Sequence, residues 1–204
     1  FPASLREIGI EAFSGCTGLT SLTLPASLET LKWEVFSGCT EIAGTVVMPA
    51  SLKYIGGNVF KNCNKVDAFD FSQCTKLTSI ESSAFSGCTK ITAVNLPASL
   101  ETIPGGAFSG CTNLTTLTVD PANTHLSSQD NTIYDSGKTK LLCRAQNVTQ
   151  VTFPVGVTEI APGTFYGCTS LAQVSFPASL TTIGESAFSG CTGLTSLTLP
   201  ASLE

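Results

Sequence analysis

Apolar and polar residues alternate in a short pattern that returns along most of the chain. In the first full unit, Leu22 and Leu24 alternate with small polar residues, which is the period of a half-buried β-strand. Pro25 ends the pattern, because proline lacks the N–H that a continuing strand would donate. The pattern predicts about nine short strands. They end at Phe1, Leu24, Met48, Phe71, Leu96, Val119, Phe153, Phe176 and Leu199.

Each unit continues with a second apolar segment and then a turn motif. Leu28 and Leu31 indicate a second short strand or extended turn on another side of the coil. The motif at residues 12–17, Ala-Phe-Ser-Gly-Cys-Thr, is too short for a stable helix and predicts a helical or 3-10 turn. Gly15, whose position is taken by Asn62 in another unit, suits a left-handed residue that leads into the next strand.

The phenylalanine and cysteine of the turn motif recur three residues apart in seven units. Five of the six intervals between units are 23 to 25 residues long, and the interval from Phe108 to Phe165 is 57 residues. A fixed period of this length is typical of a solenoid, in which each unit buries its apolar face against its neighbours. We therefore predict one β-rich solenoid domain over residues 1–204. The seven cysteines of the motif are Cys16, Cys39, Cys63, Cys88, Cys111, Cys168 and Cys191.

Nine cysteines could indicate disulfides or metal sites, but seven of them share one repeat position. Side chains at one position of a solenoid form a single file about 5 Å apart, and free cysteine is commonly buried. The pattern favours a file of reduced, buried thiols. The alternative is partial disulfide pairing that involves Cys74 or Cys143, which lie outside the repeat position. With no Cys-x-x-Cys motif and only one histidine, His125, we expect no metal and no cofactor.

The long interval contains a segment, residues 120–147, that lacks the Phe and Cys motif. Two short apolar runs flank Asp135, Ser136 and Gly137, which predicts a β-hairpin with Tyr134 as its anchor. One interpretation is a modified repeat that keeps the stack continuous, and the alternative is a protruding recognition loop. Oxygen-bearing side chains near the hairpin fit turn chemistry, with a calcium site as the alternative. They are Asp120, Asp130, Asn131 and Asp135.

Composition and charge narrow the functional classes. Charged residues make up 12% of the chain, the net charge is −5, and lysine and arginine form no cluster, which argues against nucleic-acid binding. No apolar run has the length of a membrane-spanning helix, so we expect no membrane insertion. A single histidine in a polar stretch does not support a catalytic triad, and we expect no enzymatic activity.

Candidate ligand contacts are few. The outward residues of the predicted strands, which include Gln150 and Gln173, form a small, polar face without an aromatic anchor, and a solvated β surface explains them most simply. Trp33 and Tyr54 lie in adjacent units on another side, either as partly buried filler or as a small exposed pair. The candidate binding residues are Trp33, Tyr54, Asp130, Asn131, Tyr134, Asp135, Gln150 and Gln173.

The whole chain resembles the BspA-like, or treponemal-type, leucine-rich repeat family. One unit carries the resemblance through Leu171, Val174, Phe176, Pro177, Leu180, Ile183, Ala187, Phe188 and Cys191. The resemblance implies a leucine-rich-repeat solenoid in a bacterial or protozoal protein that is secreted or exposed at the cell surface. It also implies adhesion to host or partner proteins. We expect a binding module for such proteins or for glycans. The alternative is a structural spacer or stalk that holds another domain away from the cell surface.

The two ends of the chain are nearly identical. Residues 1–29 and 176–204 differ at only four positions, and neither end carries a polar capping unit. Solenoids need caps to cover their end faces. We therefore expect a fragment of a longer array, with end-to-end self-association as the rival explanation.

Overall fold

In the computed structural model, which describes residues 1–203, the chain forms a β-solenoid of about eight turns with almost no helix. The strands are β1 (Glu7–Ile8), β2 (Thr30–Leu31), β3 (Gly44–Val47), β4 (Tyr54–Ile55), β5 (Val66–Asp70), β6 (Ser79–Ile80), β7 (Ala93–Leu96), β8 (Thr116–Val119), β9 (Leu126–Gln129), β10 (Thr132–Asp135), β11 (Lys140–Arg144), β12 (Gln150–Val151), β13 (Glu159–Ile160), β14 (Gln173–Val174) and β15 (Thr182–Ile183). A 3-10 segment spans Gly105–Phe108.

Two rows of parallel strands run along the solenoid. The first row, which we call the strand face, contains the pairs β3–β5, β7–β8 and β12–β14, and the second row contains β1–β2–β4–β6 and then β11–β13–β15. Six of the nine predicted strand positions contain a strand of the first row. The positions that end at Phe1, Leu24 and Leu199 do not; at Leu24, one backbone bond, from Ala43 N–H to the Thr20 carbonyl, joins the segment to the next unit.

The turn motifs form a third row, in which the phenylalanine rings stack. Ring centroids from Phe13 to Phe108 are 5.1 to 5.8 Å apart with interplanar angles of 8° to 15°. Backbone groups join the same turns, as where Phe13 N–H donates to the Val35 carbonyl at 3.0 Å. The motifs form the predicted turns through bonds such as that from Cys16 N–H to the Phe13 carbonyl at 3.2 Å. Among residues 1–203 a continuous 3-10 segment forms only at Gly105–Phe108, because elsewhere alternate N–H groups bond to the next unit.

Left-handed residues punctuate each turn. The glycine of the motif has positive φ as predicted, 70° at Gly15, and Asn62 takes its place with φ 62°. A second left-handed position, two residues before the phenylalanine, was not predicted. It is occupied by Glu11, Glu34, Asn58, Ser83 and Ser186, with φ between 55° and 59°.

All nine cysteines are free, and seven of them are buried. Five of the seven repeated thiols donate to the carbonyl of the phenylalanine one unit earlier, as from Cys39 Sγ to Phe13 O at 3.0 Å. Cys143 joins this file between Cys111 and Cys168, and burial raises its pKa to about 12. Cys74 is buried in a different place, with Sγ 3.6 Å from the Met48 carbonyl oxygen. The predicted file of free thiols is present, with Cys16 exposed and Cys191 half-buried at its two ends, and it contains one cysteine more than the repeat predicts.

The modified repeat consists of three antiparallel strands, β9, β10 and β11. The predicted hairpin is the β10–β11 pair, and β9 is an additional strand joined to β10 by a two-residue turn. That turn is Asp130–Asn131, with φ of 49° and 57°, which suits the twist of a tight hairpin. β11 also pairs in parallel with β13, so the modified repeat continues the second row of strands.

The hairpin is part of the core on both of its sides. Ile133 and Cys143 pack with the apolar residues of the preceding units, whereas Tyr134 and Leu141 pack with those of the following units. Tyr134 is 1% exposed, and burial raises the pKa of its hydroxyl. The predicted role of Tyr134 as the hairpin anchor fits this position, and deletion of residues 120–147 would open the core.

Candidate functional site

The tip of the β9–β10 turn lies beside the strand face. A cavity of about 320 Å³ lies at this tip. It is lined by Thr118 of β8, by Ser128 and Gln129 at the end of β9, and by Asp130 and Asn131 of the turn. Gln129, Asp130 and Asn131 are exposed. The predicted candidates Asp130 and Asn131 are therefore brought together, and we call these five residues and Gln150 the hairpin-tip face.

A buried arginine ties the tip to the next strand of the strand face. Arg144 Nη1 donates to Thr132 Oγ1 at 2.8 Å, and Nη2 donates to the Gln150 carbonyl at 3.3 Å. The Ala145 N–H donates to the Asn131 carbonyl at 3.0 Å. These contacts hold the β9–β10 turn and β12 in a fixed relation.

Arg144 is unusual because its charge is buried without an acidic partner. It is 6% exposed, its Nε has no hydrogen-bond partner, and it forms no ion pair with any other residue of 1–203. Burial lowers its pKa, since a low-dielectric environment disfavours the charged form. The sequence analysis missed Arg144. The available signal was a charged residue directly after the apolar run Leu141-Leu142-Cys143.

Gln150 and Gln173 lie opposite each other on β12 and β14, and both are exposed. Their amides extend the hairpin-tip face along the strand face by one unit. Each amide offers donors and an acceptor, and Asp130 supplies a carboxylate to the hairpin-tip face. The arrangement suits hydrogen bonding to a polar ligand surface and offers no apolar anchor.

The aromatic candidates lie elsewhere and do not form a pair. Tyr54 is partly buried in the second row between Thr30 and Ser79. Trp33 is 43% exposed, and its ring lies against the backbone of Gly57, where a Cβ atom would approach ring carbons to 2.6 Å. Trp33 therefore packs over a glycine and leaves part of its ring exposed.

Asp135 and Asp120 act in separate turns. The Asp135 carboxylate accepts hydrogen bonds from the Thr139 N–H and hydroxyl, both at 2.8 Å, and from the Lys140 N–H at 2.7 Å. Asp120 accepts from the Ala122 N–H at 2.8 Å. Within residues 1–203, no three histidine, cysteine or acidic side chains are arranged to hold a metal ion.

Comparison with known proteins places this geometry in a family. The sequence profile described as "BspA type Leucine rich repeat region" matches six copies, over residues 1–115, 44–143 and 138–204. The chain belongs to the BspA-type leucine-rich repeat family. A search of curated protein sequences finds no significant match. The family and its repeat fold thus agree with the resemblance seen in the sequence.

Solved bacterial structures share the fold. The pneumococcal vaccine antigen PcpA superposes with a TM-score of 0.78 at 24% identity, over 98% of this chain and 57% of that one. A leucine-rich cell surface protein of Faecalibacterium prausnitzii gives 0.74 at 23% identity, over 98% and 58%. The Treponema pallidum leucine-rich repeat protein gives 0.59 at 27% identity, over 94% and 72%. This chain therefore spans less than two thirds of the first two neighbours.

The names of these neighbours describe an antigen, a cell surface protein and a repeat protein, and none of the three states an enzymatic activity. The part of the chain that the structure describes contains no helix with the length and apolar character of a membrane span.

Proposed function

We propose that the chain is a secreted or cell-surface binding module that recognises a host or partner protein or a glycan through the hairpin-tip face. The observation that carries the proposal is the position of the irregular unit. The β9–β10 turn adds exposed carboxylate and amide groups to a strand face that is otherwise regular, small and polar.

Two further features support a binding surface here. Arg144 and the Ala145 N–H hold the tip against the solenoid, so a ligand would meet an ordered surface and would pay little entropy to order it. Exposed residues that depart from a repeat are also the positions where a solenoid can vary without loss of its stack. The leucine-rich repeat family and its surface-protein neighbours agree with an extracellular location.

A binding screen against extracellular matrix proteins and immobilised glycans tests the proposal. Because residues 120–147 contribute core side chains, point variants replace a deletion. Gln150→Lys and Asp130→Asn change the charge of the hairpin-tip face, and the second variant keeps a residue type that tolerates a left-handed conformation. Thr102→Lys, at an exposed position of the second row, is the matched control.

The expected result is a ligand whose binding weakens about tenfold or more with Gln150→Lys and stays unchanged with Thr102→Lys. If Gln150→Lys binds the ligand as tightly as Thr102→Lys does, the binding site does not lie at the hairpin-tip face. The second candidate function is a spacer or stalk, which the uniform stacking of nearly identical units favours. If no ligand in the screen binds, the spacer replaces the binding module as the preferred function.

A further inference from the structure

A second concave surface lies in the row of turn motifs, away from the strand face. It is a groove of about 700 Å³ that crosses five turns of the coil. We call it the turn groove and define it by Lys61, Ser83, Ser86, Tyr166 and Glu185, which lie along its length. At about 5 Å per turn, these residues span roughly 20 Å.

The groove lies where two turn motifs meet across the modified repeat. A Cβ atom at Gly105 would lie 2.2 Å from the Pro162 carbonyl oxygen, so these two units are in direct contact at the start of their turns. Deeper in the core, Gln146 of the modified repeat stands between the units, and Cys168 Sγ donates to its Oε1 at 3.3 Å. The modified repeat thus separates the two units in the core while their outer turns touch.

The hydrogen bonds of the turn row are interrupted at the same place. In five other units, the residue at the glycine position of the motif donates its N–H to the next unit, as from Gly87 to the Ser109 carbonyl at 2.8 Å. The Gly110 N–H, at the equivalent position, makes no such bond to the described backbone. The facing turns therefore diverge beyond the Gly105 contact, and the groove opens between Ser109 and Tyr166.

Two departures from the repeat point into this groove. The residue after the motif phenylalanine is serine in five of the seven units, and the exceptions are Lys61 and Tyr166. Both exceptions line the turn groove. The backbone of Lys61 still accepts the bond from the Gly38 N–H at 2.7 Å, so the stack does not require the change of side chain. Tyr166 is 49% exposed, which leaves much of its ring available to a ligand.

The lining is hydroxyl-rich and has charge only towards its ends. Serine hydroxyls occupy the middle, Lys61 and Glu185 lie in the first and last of the five turns, and neither forms an ion pair with another residue of 1–203. An extended peptide is usually held by a free strand edge or by apolar pockets. The groove offers no continuous strand edge, because most turn N–H groups bond to the next unit, and its apolar side chains are limited to Tyr166, Pro104 and Pro162.

We propose that the turn groove binds an extended oligosaccharide. The Tyr166 ring would cover the apolar face of one sugar, and the hydroxyls of Ser83 and Ser86 would exchange hydrogen bonds with sugar hydroxyls. Lys61 and Glu185 would contact substituents at the two ends. This site is separate from the hairpin-tip face, and it does not require that face to bind a ligand.

The chain itself supplies the matched variant. Tyr166→Ser installs the residue that most other units carry at this position, so the stack is expected to stay intact, which thermal unfolding checks. Tyr166→Trp adds an indole reporter in the groove, while Trp33, which does not line the groove, provides the background fluorescence of the native chain. The probe is a panel of soluble linear tetrasaccharides that are neutral, N-acetylated or carboxylated, together with extended peptides.

We expect at least one tetrasaccharide to shift the emission of the Tyr166→Trp variant and to bind the native chain about tenfold more tightly than Tyr166→Ser. Gln150→Lys should bind the same saccharide as well as the native chain does. The proposal is wrong if no saccharide binds, if Tyr166→Ser binds equally well, or if only the peptides bind. A loss of saccharide binding with Gln150→Lys would instead assign the glycan to the hairpin-tip face.

Discussion

The regular turns before Phe108 and the modified repeat after it bury the same kind of core by different means. In the regular turns, phenylalanine rings stack with centroids 5.1 to 5.8 Å apart, and backbone N–H groups donate to carbonyl groups of the next unit. In the modified repeat, three antiparallel strands replace that stack. All the buried polar side chains of residues 1–203 lie in or beside it. They are Ser109, Thr132, Arg144, Gln146 and Thr164.

The two regions differ in how their buried backbone polar groups are satisfied. Where identical units stack, the periodic backbone bonds satisfy the polar groups, and the core needs only apolar side chains. Where the period breaks, side chains supply hydrogen bonds to backbone carbonyls of a neighbouring segment, as Arg144 does to Gln150 and Thr164 to Leu142. Arg144 also bonds to Thr132 beside the exposed tip, so the break in the repeat accompanies the candidate binding surface.

Removal of the Phe108 ring, the last member of the regular stack, should destabilise the protein most. Phe108 is fully buried and stacks on Phe85 at 5.1 Å, so Phe108→Ala should lower the free energy of unfolding by about 3 to 5 kcal/mol because it opens a cavity. Urea unfolding followed by circular dichroism measures the change. A cost near zero would show that the ring does not support the core.

Loss of the Arg144 side chain should affect the modified repeat next. Arg144→Ala leaves the Gln150 carbonyl and the Thr132 hydroxyl without their present donor, and we expect a cost of about 2 to 3 kcal/mol. Hydrogen exchange should show faster exchange in β9–β12 than in the turns before Phe85. Uniform acceleration along the whole chain would contradict a local role for Arg144.

The contact across the modified repeat can be tested with adjacent glycines. Gly105→Ala would place Cβ against the Pro162 carbonyl and should cost about 1 to 3 kcal/mol, because backbone atoms must shift. Gly106→Ala is the control, since its nearest neighbour is the Ser109 hydroxyl at 3.3 Å, which can rotate. If both variants have the same unfolding midpoint in urea, the two turn motifs do not touch as described.

The buried thiols should make the free energy of unfolding depend on pH. Burial raises the pKa of Cys63, Cys111, Cys143 and Cys168 to about 12, whereas an unfolded thiol titrates near 8.5. Unfolded chains therefore lose these protons first, so stability is complete below about pH 8.5 and falls as pH rises towards 12. The loss should grow with each pH unit across this window.

Urea unfolding in the presence of a reductant, repeated from pH 7 to pH 10, measures this loss. Cys63→Ala and Cys143→Ala should each reduce the slope of stability against pH by the same amount, because burial raises the pKa of both thiols to about 12. The two variants compare a thiol of a regular turn with a thiol of the modified repeat. A slope that only Cys63→Ala reduces would exclude Cys143 from the file.

Much of the architecture could be predicted from local patterns. The alternation around Leu22 and Leu24, the fixed Phe–Cys spacing and the turn residues at Asp135 predicted the solenoid, most first-row strands and the β10–β11 hairpin. The tip was harder, because Asp130–Asn131 is a weaker turn signal than Asn-Gly and β9 contains two serines and a glutamine. Cys143 gave no signal, since it lies outside the repeat position that defines the file.

The repeat, its core and its row of thiols follow from the amino-acid sequence, because each unit repeats the same local pattern and neighbouring units must bury the same residues. The role of the modified repeat depends on contacts that form only in the folded chain. The contacts of Arg144 with Gln150, of Gly105 with Pro162 and of Trp33 with Gly57 join residues whose separation along the chain carries no local signal. Their meeting depends on how the irregular unit and its neighbours stack in space.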